Sequence, residues 1–208
     1  MHYFRCFQNM RISWSENNLL EMLMRRVLNN EKVMKELLLS VNLETVFYTI
    51  FARRVYKGKR EATVISWLLA RITDGLGGRY PKEFINFANY SKEEQRTEKY
   101  DDNCLIGGNA IKRAFNKVSV TKCDTYLSEF PVLRAHFERF RGKDTAKYTR
   151  EGIGDLMFGL EPKGDDMIKA LYETGMLEAQ HGRASADSSF EIPKLFRVGL
   201  GLVLRGRP

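Results

Sequence analysis

A change of period at Gly175 constrains this chain more than any other feature. Residues 166–174 place Met167, Ile168, Leu171 and Tyr172 at helical spacing, and Gly175 then supplies the residue that most readily adopts the left-handed geometry that stops a helix. Beyond it the apolar residues fall into two short runs. Met176-Leu177-Glu178-Ala179-Gln180 reads as one strand, residues 181–188 as a polar loop, and residues 189–195 as a second strand. The second run lies within Phe190-Glu191-Ile192-Pro193-Lys194-Leu195-Phe196-Arg197, so the ribbon is expected to close on a strand rich in aromatic and basic residues.

Upstream of that point the pattern is helical. Residues 110–118 predict one helix and residues 126–140 another, with Phe130, Leu133, Phe137 and Phe140 on one stripe. Pro131 sits in the first turn of the second helix or marks a break just before it. An extended piece near residues 146–148 leads to Thr149, a cap for a helix over 150–158, and Glu161-Pro162-Lys163-Gly164-Asp165 forms a turn with a second cap. Helix, helix and a two-stranded ribbon is the winged-helix order, a helix-turn-helix followed by a wing.

The first half reads as an all-helical bundle with short loops. Ser15 caps a helix within residues 11–28, and Trp14 faces Leu19 as a hydrophobic staple. Helical period continues over 31–39 and 43–56, then over 62–72 through Val64, Ile65, Trp67, Leu68 and Leu69. Arg53, Arg54, Lys57, Lys59 and Arg60 crowd around Gly58 as an exposed basic turn. Thr73-Asp74-Gly75-Leu76-Gly77-Gly78 ends the helix before it, and Pro81 starts the next, with Phe84, Ile85, Phe87 and Ala88 as a buried face. The composition turns polar from Ser91 to Gly108. The expected division is a helical bundle over 1–95, a linker over 96–108 and a winged-helix-like domain over 109–208, a mainly α fold with one small β-ribbon.

The chain is 208 residues long and 43% hydrophobic, enough to bury ordinary cores, and its formal net charge of +8 favours an anionic partner. That charge is spread evenly: there are 17 Lys and Arg against 13 Asp and Glu on either side of a division before Asn109. Residues 194–208 carry one sign as a local cationic end, through Lys194, Arg197, Arg205 and Arg207. Cys6, Cys104 and Cys123 are widely spaced, with no Cys-x-x-Cys pair, and read as reduced thiols without a zinc site. The polar start Met1-His2-Tyr3-Phe4-Arg5-Cys6 and the lack of a long apolar run predict a soluble cytoplasmic protein with no membrane partner.

No complete catalytic constellation is present. His2, His136 and His181 are far apart, and nothing local pairs one of them with a nucleophile. The adjacent carboxylates Asp101-Asp102 and Asp165-Asp166 are explained by turns or caps. Phosphate-backbone contact points instead to Arg183, Lys194, Arg197, Arg205 and Arg207. The presumed recognition helix carries Lys163 and Lys169 together with Asp165, Asp166 and Glu173, too acidic a set for base reading.

Two sets of residues resemble a known family. Ile12-Ser13-Trp14 with Leu19-Leu20-Glu21-Met22-Leu23-Met24-Arg25-Arg26, Trp67-Leu68-Leu69-Ala70-Arg71-Ile72, and Gly78-Arg79-Tyr80-Pro81-Lys82-Glu83-Phe84-Ile85-Asn86-Phe87-Ala88-Asn89 resemble the helical lid of STAND-like and KAP-like bacterial P-loop ATPases. The run from Phe190 to Gly201 resembles the closing strand of the winged helix that ends some of them. The resemblance implies that Gly78 and Pro81 form a turn near adenine, and that Lys82, or else Arg79, approaches the phosphates. The chain departs from the family in lacking Gly-x-x-x-x-Gly-Lys followed by Ser or Thr: Gly142-Lys143 is followed by Asp144. ATP and Mg would therefore be held by a P-loop core in cis or in trans.

The first expectation is thus a non-catalytic C-terminal module of such an ATPase, coupling nucleotide state to a DNA or protein partner, with an oligomer possible. The alternative is a free-standing winged-helix DNA-binding protein with a helical dimerisation domain. A third reading, an enzyme, needs a deep pocket that sets His136 or His181 beside a carboxylate.

Overall fold

In a computed structural model, which describes residues 14–29, 42–56, 62–99, 104–180 and 189–203, the chain is mainly helical, with a small antiparallel sheet. The described helices are α1 (Glu16–Leu28), α2 (Leu43–Ile50), α3 (Val64–Ile72), α4 (Pro81–Gln95), α5 (Gly108–Glu129), α6 (Arg134–Arg139), α7 (Arg150–Leu156), α8 (Gly164–Glu173) and α9 (Lys194–Arg197). The strands are β1 (Lys147–Thr149), β2 (Glu178–Ala179) and β3 (Ser189–Glu191), in the order β1-β3-β2. Tyr148 and Ala179 both lie opposite Phe190, whose side chain is buried. The helix expected over 31–39 lies outside the described residues.

Local chemistry sets several starts as expected. Ser15 accepts from the Asn18 N–H and Thr149 from Gly152, while Pro81 occupies the first turn of α4; the helix read over 62–72 begins at Val64, where Thr63 accepts from Ser66 as a cap not assigned from the sequence. Elsewhere tertiary partners override periodicity. The helix expected over 43–56 stops at Ile50, because Phe51 turns extended and pairs with Ile106; the Ala52 N–H donates to the Ile106 carbonyl at 2.8 Å. The helix expected over 126–140 is broken at Phe130, which takes φ −126° and ψ 62°. Pro131 causes this by disfavouring helical geometry in the residue before it. The first part of that stripe instead finishes α5, which runs for 22 residues.

The strand expected over 189–195 is also corrected. β3 ends at Glu191, and Pro193, which has no N–H to give a ladder, leads into the short helix α9. Leu195 and Phe196 are neighbours and both fully buried. A strand would send them to opposite faces, whereas a helical turn lets both enter one core. The Phe196 ring meets Tyr126 and Phe137 edge-on, at 5.6 and 6.3 Å between centroids.

One apolar cluster runs from Leu19 on α1 to Leu200 beyond α9 without dividing at residues 96–108. The charged run is helical as far as Gln95, which is buried and accepts the Gly107 N–H at 2.8 Å. α4 and α5 pack along their lengths as an antiparallel pair, and α9 lies against both α3 and α5.

Candidate functional site

The turn between α3 and α4 is built around a buried carboxylate. Asp74 Oδ1 accepts the N–H groups of Leu76 and Gly78 at 2.9 and 2.7 Å, and Oδ2 accepts the Tyr80 hydroxyl at 3.0 Å. Three donors converge on a group only 7% exposed, which fixes the path of residues 74–80. The Arg79 Nε donates to Thr73 Oγ1 at 3.1 Å, and Thr73 Oγ1 in turn donates to the Leu69 carbonyl. Arg79 is therefore tied back to its own turn. Lys82 is exposed in the first turn of α4, just past Pro81.

This turn is clamped to the junction of α8 and β2. The Gly75 N–H donates to the Gly175 carbonyl at 2.8 Å, and a Cβ on Gly75 would stand 2.1 Å from the Leu177 carbonyl oxygen. Gly175, at φ 75°, lies so close to Asp74 that its own Cβ would meet Oδ2 at 2.9 Å. Thr174 extends the contact inward, its hydroxyl 2.8 Å from that of buried Tyr126. Beneath the turn, Lys122 of α5 reaches Glu83 at 3.2 Å and lies 5.5 Å from the centre of the Tyr80 ring.

Gly78, Arg79, Pro81 and Lys82 thus share one turn, of which only Lys82 offers an exposed cation. The residues expected to contact phosphate do not assemble in the same way. Lys194 is exposed at the start of α9, but the Arg197 guanidinium is bound to the Ile192 carbonyl at 2.8 Å and to the Glu191 carboxylate. Arg183, Arg205 and Arg207 lie outside the described residues. The outer face of α8 carries Asp165, Asp166, Lys169 and Glu173, and Lys169 lies 3.9 Å from Glu173. Asp165 accepts from Arg150, and Lys163 lies 3.4 Å from Glu161. Asp165 falls within the first turn of α8, whose cap position, Lys163, makes no side-chain cap bond.

Nothing described here assembles a nucleophile with a base. His136 is buried, its Nε2 is 2.9 Å from the Pro162 carbonyl oxygen, and its Nδ1 has no hydrogen-bond partner. An open depression of about 440 Å³ is lined by Glu44, Thr45, Tyr48, Thr49 and Arg53, without a histidine or cysteine. The Cys104 thiol donates to the Ile106 carbonyl, and burial pushes the Cys123 thiol up to about 12. Among the described residues no group of three or more His, Cys, Asp or Glu could hold a metal ion, and no helix is long and apolar enough to cross a membrane.

The sequence marked residues 73–78 as a helix stop and assigned Asp74 no part. Its signal was the Asp-Gly-x-Gly-Gly spacing, an aspartate followed by residues free to fold their N–H groups back onto it. The partner across the clamp, residues 175–177, carried only the signals of a helix stop and a strand start, with nothing to mark the contact. No protein-family model, curated protein or solved structure matches this chain.

Proposed function

We propose that the chain is a non-catalytic module of a STAND-like P-loop ATPase, in which a lid-like helical bundle and a winged-helix unit pass the nucleotide state of a neighbouring core to a partner. The observation that carries this reading is the clamp between residues 74–78 and 175–177. The turn that the family resemblance puts beside the nucleotide is bonded, backbone to backbone, to the start of the ribbon. A displacement on one side is carried to the other, because neither backbone has a side chain that can yield between them.

Other features support the two halves of this reading. α7 and α8 lie between β1 and β2, and β3 returns between them in the order β1-β3-β2, as in a helix-turn-helix followed by a wing. Lys82 lies at a helix start, where unpaired N–H groups favour an anion, and Lys122 balances the carboxylate of Glu83 beside it. ATP and Mg belong to the core, in cis or in trans. The acidic outer face of α8 favours a protein over DNA as the partner of the winged-helix unit.

The purified chain alone is expected neither to bind nor to hydrolyse ATP in the presence of Mg, and turnover by the chain alone overturns the reading. A P-loop protein encoded in frame with it or by an adjacent gene supplies the positive test. Added to that core, the chain should change its ATPase rate, and Lys82→Ala should weaken nucleotide binding by the pair. A core whose rate and nucleotide affinity ignore the chain would also sink the idea.

A further inference from the structure

From Phe51 to Arg60 the sequence carries Arg53, Arg54, Lys57, Lys59 and Arg60 and no acid. The described part of this stretch ends at Tyr56, and its course is set by α5: a Cβ on Gly108 would lie 2.5 Å from the Val55 carbonyl oxygen. One turn further along α5, Lys112 Nζ sits 4.1 Å from the centre of the Tyr56 ring. Phe115, on the next turn, meets Trp67 of α3 edge-on at 5.6 Å. The Arg71 guanidinium covers the Trp67 ring at 4.0 Å and donates to the Trp67 carbonyl at 3.1 Å. Lys112 therefore lies against Tyr56, and Arg71 against Trp67, whose ring meets Phe115 three residues beyond Lys112 on α5.

These cations differ from the others on the same helix. Arg113 reaches Glu94 and Glu98, Lys117 reaches Glu94, and Lys122 reaches Glu83, so the cations facing α4 are neutralised. Lys112 and Arg71 have no carboxylate partner among the described residues, and each is held against an aromatic ring. Burial holds the Arg71 guanidinium below its ordinary value; Tyr56 opposes that, and the nearby Arg197 charge adds to it. The Trp67 indole N–H is buried and has no acceptor. Tyr56 is 42% exposed.

We propose that this surface binds single-stranded nucleic acid, with Lys112 and Arg71 on successive phosphates and Tyr56 as the stacking platform for a base. Cations held in place by aromatic rings lose little freedom when a phosphate arrives. An exposed ring among spaced, unpaired cations matches the sequence-tolerant way in which single strands are held, by phosphate contact and stacking. A single phosphate group fits less well, because Lys112 and Arg71 stand on different helices, each against a different ring. The proposal uses none of Gly78, Arg79, Pro81 or Lys82, so it stands or falls independently of the ATPase reading.

The test uses the full chain and labelled 20-nucleotide DNA and RNA, followed by fluorescence anisotropy from about 50 to 200 mM salt. Binding should weaken as salt rises, and Lys112→Ala should lower affinity about 5-fold and flatten the salt slope by about 0.7, the single-strand value for one phosphate. Lys112→Arg should restore both. Tyr56→Leu should cost about 10-fold with the slope unchanged. Preference for RNA over DNA, or the reverse, identifies the source of the strand and leaves the site intact. No binding at the lowest salt overturns the proposal. So does tighter binding of duplex, or competition by pyrophosphate as strong as by the oligonucleotide. If Lys194→Ala abolishes binding while Lys112→Ala leaves the slope alone, the strand lies on the wing and this inference is wrong.

Discussion

The two ends of the α4–α5 pair use the same chemistry in opposite surroundings. Next to the α3–α4 turn, Glu83 and Lys122 meet at 3.2 Å with side chains 6% and 14% exposed. At the far end Arg113 bridges Glu94 and Glu98 at 2.6 and 2.5 Å, and Lys117 reaches Glu94 at 2.6 Å, with the cations 41% and 49% exposed. Water screens the exposed cations Arg113 and Lys117 and would solvate them if the bonds broke, so the net worth of these pairs is small. The first pair has no such refuge, and losing one partner strands a charge in the interior. The buried pair thus adds to the contacts that hold the turn, where residues 74–78 also meet residues 175–177.

The contrast is broken most directly by Lys122→Met, which leaves Glu83 buried without its partner. It should destabilise the fold by about 4 kcal/mol at neutral pH, read from urea unfolding, and Glu83→Gln in the same background should recover a large part. Equal losses from Lys122→Met and Arg113→Met would erase the distinction between the two ends. Gly75→Ala comes next. Its methyl group would overlap the Leu177 carbonyl, for a cost of about 3 kcal/mol and faster amide exchange near 175–177, and an unchanged exchange pattern would deny the clamp.

Asp74→Ala leaves the Leu76 and Gly78 N–H groups and the Tyr80 hydroxyl without their acceptor, for a loss of about 2 kcal/mol. Thermal unfolding checks it, and a variant as stable as the parent would show that the turn holds without its carboxylate. The smallest effect is expected from Glu94→Gln, under about 1 kcal/mol at neutral pH. Hydrogen bonds from Lys117 and then Arg113 hold the Glu94 carboxyl below its ordinary 4.5. Its contribution is thus present above that value and lost as pH falls through the lower folded one. The parent and the variant should therefore converge in stability as pH falls below the ordinary carboxylate range. A gap that widens on acidification contradicts the sign.

Much of the helical framework was legible because it rests on short-range chemistry. The Ser15 and Thr149 caps, Pro81 in a first turn and Gly175 past a last one each act within four residues. The misreadings share a different cause. Phe51 leaves its helix for Ile106, 55 positions away, and Leu195 and Phe196 coil because the core takes both. The candidate turn was visible as glycines around an aspartate, but its clamp was not, since Gly175 reads equally well as a simple helix stop. Arg197 looked like a free cation until Glu191 and Ile192 were found to bind it. Lys112 and Arg71 were not marked as phosphate contacts, because nothing in a linear sequence tells a paired cation from an unpaired one.

The sequence by itself determined a mainly helical chain, most of the helix starts and a ribbon after Gly175, because capping, proline geometry and hydrophobic period are local. Only the tertiary structure decided that β3 gives way to a helix at Pro193, that one core spans residues 96–108 and that the α3–α4 turn is locked to the α8–β2 junction. Those outcomes depend on which distant backbone and side-chain groups arrive to share burial, hydrogen bonds and charge, and burial sets how much each of those contacts is worth.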